Sequence, residues 1–374
     1  YIGSVLVRLL LGKKYEVIGF DNLLFGGDSL VNLLPQKNFT FIKGDIRNKD
    51  QIDSILNEVD AVIHLAAIVG DPACSAQPQL SKDVNFSATK ILYDLASNKE
   101  NISRFIFAST CSNYGKMDNA NFVNEDSPLR PVSIYAELKV KFEKYLLESI
   151  PNNGMASTSL RFSTVYGTSP RIRFDLTVND FMREVASGNE LLIFGKQFWR
   201  PYCHVNDLAR SCILTLESDK NIVKNQVFGV GDTKENYQKQ MIAEEIIKII
   251  PDAKIKYIEK DEDPRDYRVD FSKIKNSLGF RITKRVPDGL KEINSIIKKG
   301  VLLNPYSKIY SNTWLSMKYN IPLFELNFDS CEKNAVINTL KSKWISTGPR
   351  VLEFEKKFAD MLGVKYALST SNCT

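Results

Sequence analysis

The chain has 374 residues, 43% of them apolar and 25% charged, with a formal net charge of +6, which describes an ordinary globular protein of one large domain or two of usual size. It carries no dense Lys/Arg block and no apolar run approaching the ~18 residues of a membrane span, so neither nucleic acid nor membrane is an expected partner. Six cysteines without a Cys-x-x-Cys pair suit a reducing cytoplasm, and the two histidines, His64 and His204, are too few and too far apart for a zinc site, so no metal is expected.

The chain opens Tyr1-Ile2-Gly3, without an initiator Met. A helix is expected from Gly3, then a strand Tyr15–Phe20 ending in Asp21-Asn22. Gly, helix, strand and acid in that order form the second half of a dinucleotide-binding fingerprint: the glycine lets the helix pack closely, and the acid takes the ribose hydroxyls. A carboxylate at this place repels a 2′-phosphate, which favours NAD over NADP. Asp21 also suits a plain turn before Asn22. The first strand and two earlier glycines of the fingerprint are not in the sequence, so the chain reads as a fragment lacking a central strand and most of its pyrophosphate loop.

Further strands follow. Phe39–Gly44 leads into Asp45-Ile46, placed to touch an adenine ring, and Ala61–Ala67 is another strand, ending in small residues that let the backbone approach a cofactor. His64 is expected to pack within its strand. A helix carrying Asn85 comes next. Short apolar strands alternating with amphipathic helices argue for a parallel α/β sheet.

Arg104–Thr110 is an apolar, aromatic-rich run ending in hydroxyl residues, the pattern of a buried parallel strand whose carboxyl end opens into a site. In the run Ser133-Ile-Tyr135-Ala-Glu-Leu-Lys139, Tyr135 and Lys139 lie on one face of a helix. An ammonium beside a phenol is expected to lower its pKa from ~10 toward neutrality, giving a general base for a sugar hydroxyl. Thr110 would share the substrate hydrogen bond with Tyr135.

Taken in order, these segments resemble the extended short-chain dehydrogenases/reductases, in the nucleotide-sugar epimerase/dehydratase branch. The resemblance covers residues 1–300 and includes Leu160–Gly167 and Arg200–Asp207. It implies a Rossmann-like doubly wound parallel sheet with a smaller substrate-binding subdomain, divided as 1–165 and 166–300. It makes Thr110, Tyr135 and Lys139 catalytic. It places Ile2, Gly3, Asp21, Asn22, Asp45, Ile46, Leu65, Ala66, Ala67, Asn85, Tyr135, Lys139 and Phe162 against NAD. It places Thr110, Tyr135, Asn179, Arg200, Arg265 and Arg268 against a nucleotide-diphosphate sugar, and leaves a homodimer open. In the dehydratases an acidic pair follows the catalytic Thr; here those positions are Cys111 and Ser112. Epimerisation, at C4 through a transient 4-keto sugar, is therefore expected over dehydration or keto-reduction, with a non-catalytic binding module as the alternative of another kind.

The pattern fades near Lys298, and residues 301–320 read as a linker. From Ile321 a new unit is expected, with helices at Glu332–Lys341 and Val351–Leu362. Its segments Trp344–Pro349 and Ser371–Thr374 resemble the start of a pyridoxal-phosphate sugar aminotransferase of the DegT/DnrJ/EryC1/StrS type. PLP would then belong to the complete parent of that segment and not to this chain. A C-terminal dimerisation extension is the alternative.

Overall fold

The structure is a computed structural model and describes residues 1–116, 122–259, 265–313, 330–342 and 348–369. The chain forms two compact units, residues 1–318 and 319–374.

The first unit is built on parallel strands. Helix α1 (Ile2–Gly12) is followed by β1 (Val17–Asp21) and β2 (Phe39–Lys43), which pair with each other in parallel. Strands β3 (Ala61–His64), β4 (Arg104–Thr110), β5 (Ala156–Phe162) and β6 (Gln226–Val230) form a second parallel sheet in the order β6-β5-β4-β3. Among the described residues no ladder joins β1 to β3.

β4 and β5 are buried on both faces, as their continuous apolar and small-residue runs require. Helix α2 (Asp71–Ala76) follows β3, α3 (Ile134–Glu148) lies on β4 and β5, and α4 (Val205–Glu217) packs against α1. The Ser133 hydroxyl caps α3 by accepting from the Ala136 amide at 3.3 Å, and Glu137 sits in its first turn, where a carboxylate suits the helix dipole.

Residue 165 is not a clean boundary. After Thr164–Tyr166 the chain leaves for a smaller group of strands and helices, centred on buried Phe174, Met182, Ile193, Ile242 and Leu290. Then α4 and β6 return to the main sheet, because Leu208 and Cys212 bury against α1 and β6 completes the edge of β5. Tyr267, Phe271 and Phe280 join the main core after Ile242 and before Leu290 of the smaller lobe, so the two lobes interleave from 166 to 290.

In the second unit two helices are described, Ser330–Lys341 and Pro349–Leu362. Pro349 opens the latter at a position where its missing amide costs nothing, and Gly363, at φ +67°, closes it. The expected segments Ile321–Phe324, Trp344–Thr347 and Ser371–Thr374 lie outside the described residues, as do Lys318–Asn320 of the linker and the Asp263-Pro264 that precedes Arg265. Among the described residues no helix is long and apolar enough to cross a membrane, and no group of three His, Cys, Asp or Glu could hold a metal.

Candidate active site

The carboxyl ends of β3, β4 and β5 carry the proposed chemistry. Thr110 closes β4, where it stands beside Phe162 of β5 in the ladder. Its Oγ1 accepts from the Ser112 amide at 3.1 Å, which caps the 3₁₀ turn Cys111–Tyr114. Tyr135, in the first turn of α3, stands next to Thr110, whose hydroxyl favours the phenolate. One turn on, buried Lys139 donates from Nζ to the Ala108 carbonyl at 2.7 Å and lies 4.6 Å over the Phe107 ring. It stands 5.9 Å from the centre of the Tyr135 ring. The three residues expected to be catalytic are thus brought together.

Their electrostatics differ from the expectation. Burial pushes the Tyr135 phenol above its ordinary value, with Cys74 and Asp71 acting in the same direction; Arg173 and the Thr110 hydroxyl oppose it. Burial also lowers Lys139 to about 7. The ammonium points to the Ala108 carbonyl of β4, so it spends its charge there, and in the protein alone desolvation outweighs any help it gives the phenol.

The cofactor side is partly assembled. Gly3 lies against Leu65, whose Cδ1 would be 3.7 Å from an added Cβ. Ile2 packs on the same core as Leu65, and Ala66 and Ala67 continue the strand end of β3. Asp21 is exposed at the end of β1, its Oδ1 accepting from the Leu23 amide at 2.7 Å, so it is a turn residue with a free second oxygen edge. Asn22 donates to Asp45 at 3.2 Å, and Asp45 is gripped by Arg47 at 2.8 and 2.9 Å, which holds its carboxyl well below the usual range. Ile46 packs beneath them. Phe162 is buried between Thr110 and Val230. Asn85 is spent on the backbone: its Oδ1 accepts from the Ile68 amide at 2.8 Å and its Nδ2 donates to the Ile68 carbonyl at 2.9 Å. It shapes the loop after β3 from within a π-helical turn, Asp83–Ala88. An exposed acid at the end of β1, small residues after β3 and a buried lysine at the end of β4 fit the donor set that NAD needs on both of its halves.

On the substrate side the arginines converge only in part. Arg265 pairs with Asp71 of α2 at 2.8 Å, which places it near Tyr135 through their common neighbour Asp71. Arg200 and Arg265 both act on buried Tyr267, whose hydroxyl burial raises to about 12 and which hydrogen-bonds Ser112. Arg268 stacks between Phe122 and Trp199 at 4.8 and 5.0 Å. Asn179 is not presented to a ligand. It is fully buried, accepting from the Gly167 amide at 2.9 Å and donating to the Arg173 and Gly167 carbonyls at 2.8 and 3.1 Å.

Asp71, Cys74, Arg173 and Tyr267 were missed by the sequence reading. None follows a helical or strand period; Asp71 in Gly70-Asp-Pro directly after a site strand was the available signal. Cys111 answers the question of the missing acid. Its thiol is buried, donates to the Arg161 carbonyl at 3.2 Å and is pushed far up by burial, so it offers no proton to a substrate.

A parallel sheet whose strand ends assemble Thr, Tyr and Lys, with an exposed acid at the end of β1, is the arrangement of a nicotinamide-dinucleotide enzyme of the short-chain dehydrogenase/reductase class. Residues 1–231 match the family model described as the NAD dependent epimerase/dehydratase family. The chain belongs to that family, and its cofactor is NAD. It is 30% identical over 304 residues to an uncharacterized UDP-glucose epimerase, YtcB, of Bacillus subtilis, covering 78% of this chain and 92% of that one. It is 27% identical over 307 residues to a dTDP-glucose 4,6-dehydratase of Actinoplanes, covering 78% and 93%. Among solved structures, the Bacillus cereus UDP-glucuronic acid 4-epimerase in complex with UDP-glucuronic acid and NAD superposes with a TM-score of 0.72 at 28% identity, covering 80% of this chain and 96% of that one. Residues 327–374 match the DegT/DnrJ/EryC1/StrS aminotransferase family.

Proposed function

We propose that this chain inverts the C4 configuration of a nucleotide-diphosphate sugar. The observation that carries the reading is the convergence of Thr110, Tyr135 and Lys139, with the Thr110 hydroxyl beside the phenol and Lys139 one turn behind it. NAD, when bound, would supply a reversible hydride acceptor. Thr110 holds the 4-hydroxyl against Tyr135, and Tyr135 takes its proton as the carbon is oxidised. Lys139 would hold the ribose of bound NAD, and its ammonium, 5.9 Å from the centre of the Tyr135 ring, favours the phenolate once it is charged. Tyr135 returns the proton after the keto sugar has turned its other face. The relatives bearing UDP-glucose and UDP-glucuronic acid names support a UDP-sugar, and Arg200 and Arg265 supply planar donors for its diphosphate.

A dehydratase is the second reading, favoured by relatives such as the Actinoplanes enzyme. Against it stands the position after Thr110, a buried thiol without acid strength, followed by a serine. Incubation with NAD and a panel of UDP-, GDP-, CDP- and dTDP-sugars, followed by NMR, separates the two. A C4 epimer without net NADH is expected. A 4-keto-6-deoxy product would overturn epimerisation and make Asp71 the acid to mutate.

A further inference from the structure

Helix α3 presents Tyr135, Lys139 and Glu143 to the sheet at four-residue intervals. Each meets a different level of it. Tyr135 reaches Thr110, Lys139 reaches the Ala108 carbonyl, and Glu143 reaches β5. There Glu143 accepts from Ser159 Oγ at 2.7 Å and from Arg161 Nη2 and Nε at 2.7 and 3.1 Å. Glu143 lies two turns from the phenol and is 1% exposed, so it takes no part in proton transfer.

Arg161 is 4% exposed and pairs in the ladder with Ser109, the residue before Thr110. Its Nη1 donates to the Tyr114 hydroxyl at 3.0 Å and to the Glu125 carbonyl at 3.2 Å. Tyr114 ends the 3₁₀ turn that Thr110 caps, and Cys111 of the same turn donates to the Arg161 carbonyl. Glu125 in turn accepts from the Gly229 amide of β6 at 2.7 Å. One guanidinium therefore touches the helix that carries Tyr135 and the turn that Thr110 opens.

Such a pair is poorly explained by stability. Taking both ions out of water costs about as much as their attraction returns, and apolar residues of the same volume often serve as well. What apolar residues would not supply is direction. The hydrogen bonds around Arg161 fix the height and rotation of α3 against β4 and β5.

We infer that Glu143 and Arg161 are positioning residues, whose ion pair, with Tyr114, sets the separation of the Tyr135 phenol from the Thr110 hydroxyl. This rests on Tyr135 acting as the base proposed above. The test compares the double variant Glu143→Leu/Arg161→Met, the single variant Tyr114→Phe and the reference Tyr135→Phe. Melting, KM, kcat and the deuterium isotope effect on kcat with a C4-deuterated nucleotide sugar are measured for each.

The double variant should stay folded and lose about 30- to 100-fold in kcat with KM within threefold, the cost of a reacting group misplaced by a fraction of an ångström. Its isotope effect should rise as hydride transfer becomes slower. Tyr114→Phe should lose about three- to tenfold in the same pattern, the share of one hydrogen bond. A folded double variant with kcat within twofold and an unchanged isotope effect would overturn the inference. If the double variant does not fold, the same result in Tyr114→Phe overturns it. Tyr135→Phe separates this from the base itself: dead Tyr135→Phe with normal positioning variants sinks only the positioning role, whereas fully active Tyr135→Phe sinks both.

Discussion

Replacing Lys139 by Met should make the protein more stable and inactive, and the gain should depend on pH. In the folded chain burial lowers this lysine from 10.5 to about 7, and its side chain is almost wholly enclosed. The drop of ~3.5 units, at ~1.4 kcal/mol each, sets a ceiling of about 5 kcal/mol on what the buried ammonium costs. Losing the hydrogen bond to Ala108 and the contact over Phe107 takes back about 1–2 kcal/mol, leaving a net gain near 3 kcal/mol at pH 6. The sign follows from proton binding. Below pH 7 both folded and unfolded chains hold the proton and the penalty is complete. Between 7 and 10.5 only the unfolded chain holds it, so the folded state recovers stability as pH rises. By pH 9.5 most of the penalty is gone, and Lys139→Met should then match the parent to within about 1 kcal/mol. Denaturant melts of both proteins at pH 6 and 9.5 measure the difference directly. A variant that is less stable at pH 6, or whose gain is equal at the two pH values, would show that the ammonium is not buried at a cost.

Tyr135→Phe should lower turnover by about 10²- to 10⁴-fold while leaving NAD affinity within twofold by calorimetry, because only the base is removed. Full activity would refute the mechanism. Asp21→Ala should weaken NAD binding by about tenfold, the share of one charged hydrogen bond. Unchanged affinity with a lower melting temperature would mean that the Leu23 turn is its whole role. Gly115→Ala should destabilise by about 3 kcal/mol or more, since φ is +69° and an added Cβ would lie 1.9 Å from the Arg130 carbonyl oxygen. A melt within a degree of the parent would contradict that geometry.

Much of this fold was legible because its signals are local. Within Arg104–Thr110 the residues Phe105–Ala108 are apolar without a break, and only a strand covered on both faces needs that. Tyr135 and Lys139 share a helix, so their spacing alone sets them on one face. Asp21 and Asp45 both follow short strands, and those strands pair in register with Asp21 opposite Lys43, which brings Asn22 to Asp45. The interleaving of the two lobes past residue 165 was not legible, for the opposite reason. Whether a strand such as Gln226–Val230 joins the first sheet or the second lobe depends on which edge is open, and that edge is made by residues 68 positions away, Gln226 pairing with Thr158.

The site chemistry was legible as a set of residues and not as a set of protonation states. Proximity of Lys139 to Tyr135 is a property of the helix, but the pKa of the phenol is a balance between charge and burial. Burial comes from Cys74, Ile68 and Ile134 packing around the ring, residues scattered over three segments with no common period. The same holds for Asn179. Its type and place suit a phosphate ligand, yet the turns at Gly167 and Arg173 close around it and use both its oxygen and its nitrogen. A polar side chain can satisfy a ligand only with hydrogen bonds its own backbone has not already taken. By that measure Asn85, Asn179 and Cys111 are committed to the loops around the site, because their polar atoms are already taken by neighbouring backbone.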